Sequence, residues 1–408
     1  MLPHNFKHNK PTVLAVGLFV PGTGFTRVFE SLFARLSSIF DIHWMGIGYK
    51  GPVTQQEHFT LYPVNVNGGD IYGAYRAAEL ALTINAKSIL LLNDFYLLKN
   101  YQRPFEPLKE KGIKLIAYVP IDGYFTNTAL TGQCLYLDEI VLYNQWALHE
   151  VSHSIAAYET ANICITGMKP ALSYIYHGTD TTAFSAIEAP KDRQQLKAEM
   201  FQVPDAANSI FILNANRYNE RKDIESTIAT YAKAYPQFNT TAYLCLHTPN
   251  LQPDLKTKLL QLIEDSGCKE KIVLNPLGDD YCSNEQLSVL YKACDIGINT
   301  SFGEGWGMIS FEHAACGAAQ IVPNHTAPGE LWKDAGIVIP VEKSVQLSTN
   351  PFLMYKVNRD ELTYGLVQLV NDEAHRRKIS WRCMDHANKE IFDWENIAAQ
   401  WAEKLKPV

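Results

Sequence analysis

The sequence predicts an α/β fold built from two doubly wound domains that face each other across a ligand-binding cleft. Three observations carry this. Short, continuous apolar runs alternate with helix-length amphipathic segments along the chain. Strands buried on both faces read this way, and the alternation implies a parallel sheet covered by helices. The pattern stops once near the middle and then restarts, and 408 residues suit two domains of ordinary size.

In the first half the apolar runs predict strands over 13–20, 42–47, 88–92, 114–118, 139–143 and 163–166. Helices are expected over 27–38 and 72–85. The interruption covers residues 189–207, with Pro190, the charged run Lys191-Asp192-Arg193, and Pro204. Beyond it, strands are expected over 209–213, 241–247, 271–275, 296–299 and 320–322. Helices fit 223–235, ended by Pro236, then 254–266, 284–294 and 311–316, the last stopped by Gly317. The tail from about residue 372 is helical and carries Trp381, Phe392, Trp394 and Trp401. The expected division is a first domain over 1–188, a connection over 189–207, a second domain over 208–378, and terminal helices over 379–408.

Composition excludes several classes. Hydrophobic residues at 47% and charged residues at 19% exclude a disordered or fibrous chain. A net charge of −7 disfavours a nucleic-acid partner held on a broad basic surface. Eight cysteines occur without a Cys-x-x-Cys pair, several of them in apolar runs (Cys164, Cys245, Cys316), as expected for reduced core thiols in a cytoplasmic protein. Lys7, His8 and Lys10 precede the apolar run 13–20 as in a secretory signal, but Pro21-Gly22-Thr23-Gly24 follows in place of a small-x-small cleavage site. No apolar stretch approaches the ~20 residues that span a bilayer, so any membrane contact is expected to be peripheral.

The residues that carry chemistry follow strand ends. Residues 299–312 read NTSFGEGWGMISFE: a strand end, a loop with Gly303, Gly305 and Gly307, then a helix beginning near Met308 or Ile309. Glycines let backbone amides approach a ligand, and a helix N-terminus adds partial positive charge, so this is a phosphate cradle. Glu304 lies in the loop and Glu312 on the helix, placed so that one carboxylate reaches a sugar and the other a ribose. Residues 216–222, NRYNERK, follow the strand 209–213 and put Arg217 and Lys222 around a turn. Two fixed cations there would stabilise the charge that gathers on a leaving diphosphate. They would also replace a divalent metal, and there is no Asp-x-Asp triplet to hold one. Pro21 to Arg27, with Gly22 and Gly24, is a further strand-to-helix turn that could present amides to a phosphate or an acceptor.

Taken together these residues resemble the retaining glycosyltransferase family four, of the GT-B fold, in which two Rossmann-like domains flank a cleft. The resemblance rests on Glu304-x7-Glu312 with Gly-Trp-Gly inside it and Ala-Cys-Gly317 after it. Arg217 and Lys222 after the first strand of the second domain add to it, as does Tyr176-His177-Gly178-Thr179-Asp180 closing the first domain. It runs from residue 13 to about residue 401. It implies transfer of a hexose, mannose or glucose as the first guess, from a UDP-, GDP- or ADP-linked donor to a glycan, lipid-linked or small-molecule acceptor. Anomeric configuration would be retained, with no cofactor and no metal. Arg217 and Lys222 would bind the diphosphate, and Glu304 the donor sugar with Gly303 and the amides of Gly305, Trp306, Gly307 and Met308. Glu312 would bind the ribose. Gly22 and Gly24 would lie near the phosphate and acceptor, and the terminal helices would return to the first domain. Many members carry a histidine after the fourth strand; here Asp122 stands at that place, in AYVPIDG, and is assigned to the donor sugar or acceptor. Asn93 and Asp94, after the strand 88–92, are assigned to the acceptor side, with a helix cap as the other reading of Asp94.

Other readings compete. His149-Glu150-Val151-Ser152-His153 fits the H-E-x-x-H pattern of zinc peptidases, with Glu159 or Glu188 as third ligand. The fold could also serve a non-catalytic nucleotide-sugar binding or partner subunit, a sugar phosphorylase or a nucleotide-sugar epimerase. The retained Arg217, Lys222, Glu304 and Glu312 weigh against a binding-only role.

Overall fold

The computed structural model describes residues 10–64, 67–161, 169–187 and 189–407. The expected strand over 163–166, Cys164 and Glu188 lie outside the described residues. The chain forms two compact units. Unit 1 comprises Met1–Ile121, Asn127–His177 and Trp394–Val408; unit 2 comprises Asp122–Thr126 and Gly178–Asp393.

Unit 1 holds β1 (Thr12–Leu18), β2 (Asp41–Ile47), β3 (Thr54–Gln55), β4 (Thr60–Pro63), β5 (Ser88–Leu92), β6 (Lys114–Val119), β7 (Glu139–Leu142) and β8 (Ala171–Tyr174). They form one sheet in the order β3-β4-β2-β1-β5-β6-β7-β8. All neighbours are parallel except β3 with β4. The central strands are apolar on both faces, from Val13 to Val16 and from Ile89 to Leu92, which is why each reads as an unbroken run. β1 ends at Leu18, earlier than expected: the Phe19 amide makes one more bond to the Ile47 carbonyl at 2.8 Å, and the Val20 amide then leaves the sheet and donates to Thr26 Oγ1 at 2.9 Å. The short edge strand β3 and its neighbour β4 give no continuous apolar run. Trp394–Leu405, the last helix, belongs to this unit, where Lys404 and Lys114 both pair with the buried Glu139.

Unit 2 holds β9 (Ile210–Asn214), β10 (Ala242–Leu246), β11 (Ile272–Leu274), β12 (Ile296–Ile298), β13 (Ala319–Pro323) and β14 (Ile337–Ile339) in an all-parallel sheet ordered β11-β10-β9-β12-β13-β14. A separate antiparallel pair joins β15 (Val341–Gln346) to β16 (Leu353–Val357). Its alternating, half-exposed residues give no continuous apolar run, so the sequence does not announce it. Residues 190–200, inside the expected connection, are a helix opened by Pro190 at its first turn. That helix is pinned to the sheet by the buried Lys197 ammonium, 2.7 and 2.9 Å from the Asp295 carboxylate and 2.9 Å from the Ser209 carbonyl.

Tyr124 pairs with Leu353 through two backbone hydrogen bonds, 2.8 and 2.9 Å, at the start of β16. This bridge fixes the short segment that contains Asp122 within unit 2. The order of strands reverses between β9 and β12, so the crevice at their carboxyl ends is the place where such a sheet takes ligands.

Candidate active site

Two loops meet at that crevice. The turn after β9 carries Arg217 to Lys222 and closes with a 3-10 turn, Glu220–Lys222, capped by the Asn219 side chain on the Lys222 amide. The loop after β12 carries Ser301 to Gly307 and opens into the helix Met308–Ala315. Buried hydroxyls and amides stitch them together. Asn214 donates to Thr227, Thr227 bonds Thr300, and Thr300 donates to the carbonyls of Lys222 and Asp223. The Phe302 amide donates to the Arg221 carbonyl at 2.8 Å. The sequence folds this way because the polar residues at both strand ends satisfy each other instead of water.

Glu304 is at the centre and is buried at 5% exposure. One carboxylate oxygen receives Ser301 Oγ at 2.8 Å and the Lys222 ammonium in a short ion pair. The other faces Arg221 Nη1 at 3.3 Å. The Glu304 amide donates to Thr326 Oγ1, and its carbonyl accepts from the Ala327 amide. Burial opposes its charge, but Lys222 and then Arg221 outweigh burial and hold its carboxyl down at about 2. Burial also lowers the Lys222 ammonium below its ordinary range, against the pull of Glu304. Asp122 approaches Arg221 Nε at 3.7 Å and accepts a hydrogen bond from the Gly305 amide. Burial raises its carboxyl; Arg221 works against that rise and Glu304 adds to it.

The glycines answer to these contacts. A Cβ on Gly303 would stand 1.7 Å from the Asp122 carbonyl oxygen. Gly307 has φ +94 and occupies the N-cap of the helix, where any other residue would be strained. Met308 opens the helix, so its amide is among those without an intrahelical acceptor. Trp306 turns its ring into the core, stacked on Phe311 at 4.9 Å and edge-on to Phe392, leaving its backbone as the part beside the loop. Glu312 is buried on the helix behind it.

The remaining expected residues fall elsewhere. Arg217 is exposed, its guanidinium 6.0 Å over the Tyr281 ring, and it does not join the Glu304 cluster. In unit 1, Gly22 and Gly24 form the exposed turn between β1 and the helix Gly24–Leu36, with φ +73 at Gly22. Asn93 is buried after β5, bonded to the Tyr101 hydroxyl, and its side chain accepts from the Asp94 amide. Asp94 takes the N-cap position of the 3-10 turn Phe95–Tyr101 without a side-chain capping bond and instead accepts from Tyr96. Both pairs flank the reversal of strand order between β1 and β5. His149 and His153 stand side by side on the exposed face of the helix Gln145–Ala161, and Glu159 is paired with Lys169. Among the described residues no group of three or more His, Cys, Asp or Glu side chains could hold a metal ion.

Sequence reasoning missed Arg221, Ser301 and the His325-Thr326 pair. Arg221 adjoins Lys222 and sits in the very turn identified. His325 is buried, with ring nitrogens at 3.0 Å from Thr326 Oγ1 and 3.1 Å from the Ser301 carbonyl; burial lowers it to about 4. The available signal was its position just past the strand 320–322, the same rule that located the other loops.

No family model matches the sequence. Over 217 residues the chain is 25% identical to the serotype-specific mannosyltransferase WbdA of Escherichia coli, a match covering 53% of this chain and 23% of that protein. It thus spans about a quarter of the length of these mannosyltransferases. An uncharacterized glycosyltransferase of Methanocaldococcus jannaschii is 23% identical over 198 residues, 48% of this chain and 44% of that one. The structure of sucrose-phosphate synthase from Thermosynechococcus elongatus superposes with a TM-score of 0.69 at 14% identity, covering 97% of this chain and 98% of that one. That of Anabaena HepE with UDP and glucose gives 0.68 at 13% identity, covering 97% and 99%. No helix among the described residues is long and apolar enough to cross a membrane. The protein therefore has the GT-B fold of two Rossmann-like α/β domains, and half of its sequence is similar to glycosyltransferases.

Proposed function

We propose that the protein is a retaining, metal-independent glycosyltransferase that moves a hexose from a nucleoside-diphosphate sugar to a glycan, lipid-linked or small-molecule acceptor. One observation carries the reading: Glu304, ionised and fixed by Lys222, Arg221 and Ser301, stands immediately before a helix N-terminus at the reversal of strand order. A diphosphate bound at the amides of Gly307 and Met308 meets the positive end of the helix and the Lys222 ammonium. As the glycosidic bond breaks, charge gathers on the departing phosphate, where those groups act more strongly than on the ground state. Glu304 accepts hydrogen bonds from the sugar hydroxyls and Glu312 from the ribose. Asp122 lines the sugar. In same-face attack the departing phosphate oxygen takes the acceptor's proton, so no separate base is required. Arg217 reaches the diphosphate by leaving Tyr281.

The division into an acceptor-side domain over 1–188, a connection over 189–207, a donor-side domain over 208–378 and terminal helices over 379–408 belongs to this reading. So do the acceptor roles of Gly22, Gly24, Asn93 and Asp94, the absence of a cofactor, and a cytoplasmic location, in keeping with the scattered cysteines. Mannosyltransferase relatives make mannose the first donor sugar to try, and the glucose and UDP named with HepE make glucose the second. The name of a further relative, O-antigen chain mannosyltransferase B, favours a glycan acceptor.

A thermal-shift panel of UDP, GDP, ADP and their hexose conjugates tests the reading. Stabilisation by one nucleotide series is expected, followed by EDTA-insensitive transfer with retained anomer. No response to any of the set would overturn it; loss of turnover in EDTA, restored by Mg²⁺ or Mn²⁺, would overturn metal independence.

A further inference from the structure

We infer that Arg221 is the positioning residue that keeps Glu304 charged and aimed while Lys222 turns to the donor diphosphate. The inference rests on the proposed function and deepens it. In this structure Glu304 has two cationic partners, one on each carboxylate oxygen. Lys222 has an alternative employment, because a diphosphate at the helix N-terminus would compete for its ammonium. Arg221 is tied down differently. Its Nη1 donates to the Gly303 carbonyl at 2.5 Å and faces Glu304 Oε2 at 3.3 Å. Its Nε faces Asp122 Oδ2 at 3.7 Å, and its own carbonyl accepts the Phe302 amide. A guanidinium offers several donors in a planar fork, so one residue holds two carboxylates and a loop carbonyl together; an ammonium cannot match that geometry. Two acids and two cations make the cluster neutral before donor arrives. When Lys222 turns to phosphate, Arg221 and Ser301 remain on Glu304 and keep its carboxylate fixed toward the sugar. Without Arg221 that aim is lost, a loss felt in turnover of the sugar conjugate rather than in affinity for the nucleoside diphosphate, which carries no sugar.

The ionisable groups facing this cluster are Asp122 before β7, Arg221 and Lys222 after β9, Glu304 after β12 and His325 after β13, with the Asp223–Lys356 pair behind Phe302. Arg221 lowers the titration of both Asp122 and Glu304. Its removal should therefore move the acid limb of turnover to higher pH, which a mere loop clamp would not do.

The test compares R221Q and R221K with the wild type, using the nucleoside diphosphate and the hexose conjugate picked out by the panel. Circular dichroism checks folding. R221Q should keep nucleoside-diphosphate affinity within about threefold while turnover falls about 100-fold, the scale of removing one fixed electrostatic contact. Its acid limb should move up by about one pH unit, with R221K restoring most of the wild-type profile. Equal loss of affinity for nucleoside diphosphate and conjugate with an unchanged pH profile would overturn the inference, as would unchanged turnover. Should R221Q not fold, R221K decides: about tenfold lower turnover with nucleoside-diphosphate affinity kept supports the role, and equal loss of both overturns it. A wild type that binds none of the panel sinks the proposed function first and this inference with it.

Discussion

Replacing Glu304 with glutamine removes the charge at the centre of the site and keeps its shape. In the folded protein the carboxyl is held at about 2, against an ordinary value of 4.5. A tenfold change in acid strength corresponds to about 1.4 kcal/mol, so ionised Glu304 contributes roughly 3 kcal/mol of stability. The sign follows from the direction. A depressed carboxylate stabilises the fold fully above pH 4.5, and that contribution fades as pH falls through about 2. Asp122, whose carboxyl is raised, acts in the opposite sense over the same range, so the comparison must be wild type against variant. Seen from its partners, Lys222 and Arg221, the same interaction has a similar size, since loss of one buried partner costs about 3–5 kcal/mol. Urea unfolding followed by circular dichroism should show the variant about 3 kcal/mol less stable at pH 7. The gap should narrow to less than about 1 kcal/mol near pH 2.5. A gap that stays constant between those pH values would refute the assignment of the charge and the stability to this pair.

Three further outcomes are expected. Lys222→Ala should weaken nucleoside-diphosphate binding by roughly 1.5–3 kcal/mol in calorimetry, because a charge-assisted hydrogen bond is lost; unchanged affinity would remove Lys222 from the diphosphate site. Gly303→Ala places a methyl 1.7 Å from the Asp122 carbonyl, so the loop must shift and the Arg221–Glu304 contacts with it; turnover should fall at least about 100-fold, and near-normal turnover would contradict the packing. Lys197→Met removes the nearest cation from Asp295 at the opposite end of the sheet, leaving it Arg193 at 3.8 Å and the Phe211 amide at 2.8 Å, and should cost about 1.5–3 kcal/mol in urea unfolding while folded protein keeps its turnover.

How much was legible differs from element to element. The β1, β5, β9 and β10 runs were visible because a strand covered on both faces needs apolar residues at every position. The short strands β3 and β4 and the β15–β16 ribbon were not, because half-exposed strands tolerate ordinary polar residues. The helix Pro190–Met200 hid in what reads as a connection, since its only buried side chain is a lysine. At the site, spacing picked out Glu304, Lys222 and the glycines of the second loop. It could not show that Arg221 rather than Arg217 faces Glu304, because the two arginines differ only in which side of one short turn they occupy.

The order of apolar runs and glycine turns was enough to determine the parallel cores of two sheets and the loops at their carboxyl ends, because burial on both faces and φ beyond the reach of most residues leave a mark in composition. Which charges compensate which was decided only in three dimensions. Asp122, Arg221, Lys222 and Glu304 come from segments up to 182 positions apart, and their protonation depends on ångström distances in a water-poor crevice that no local pattern encodes.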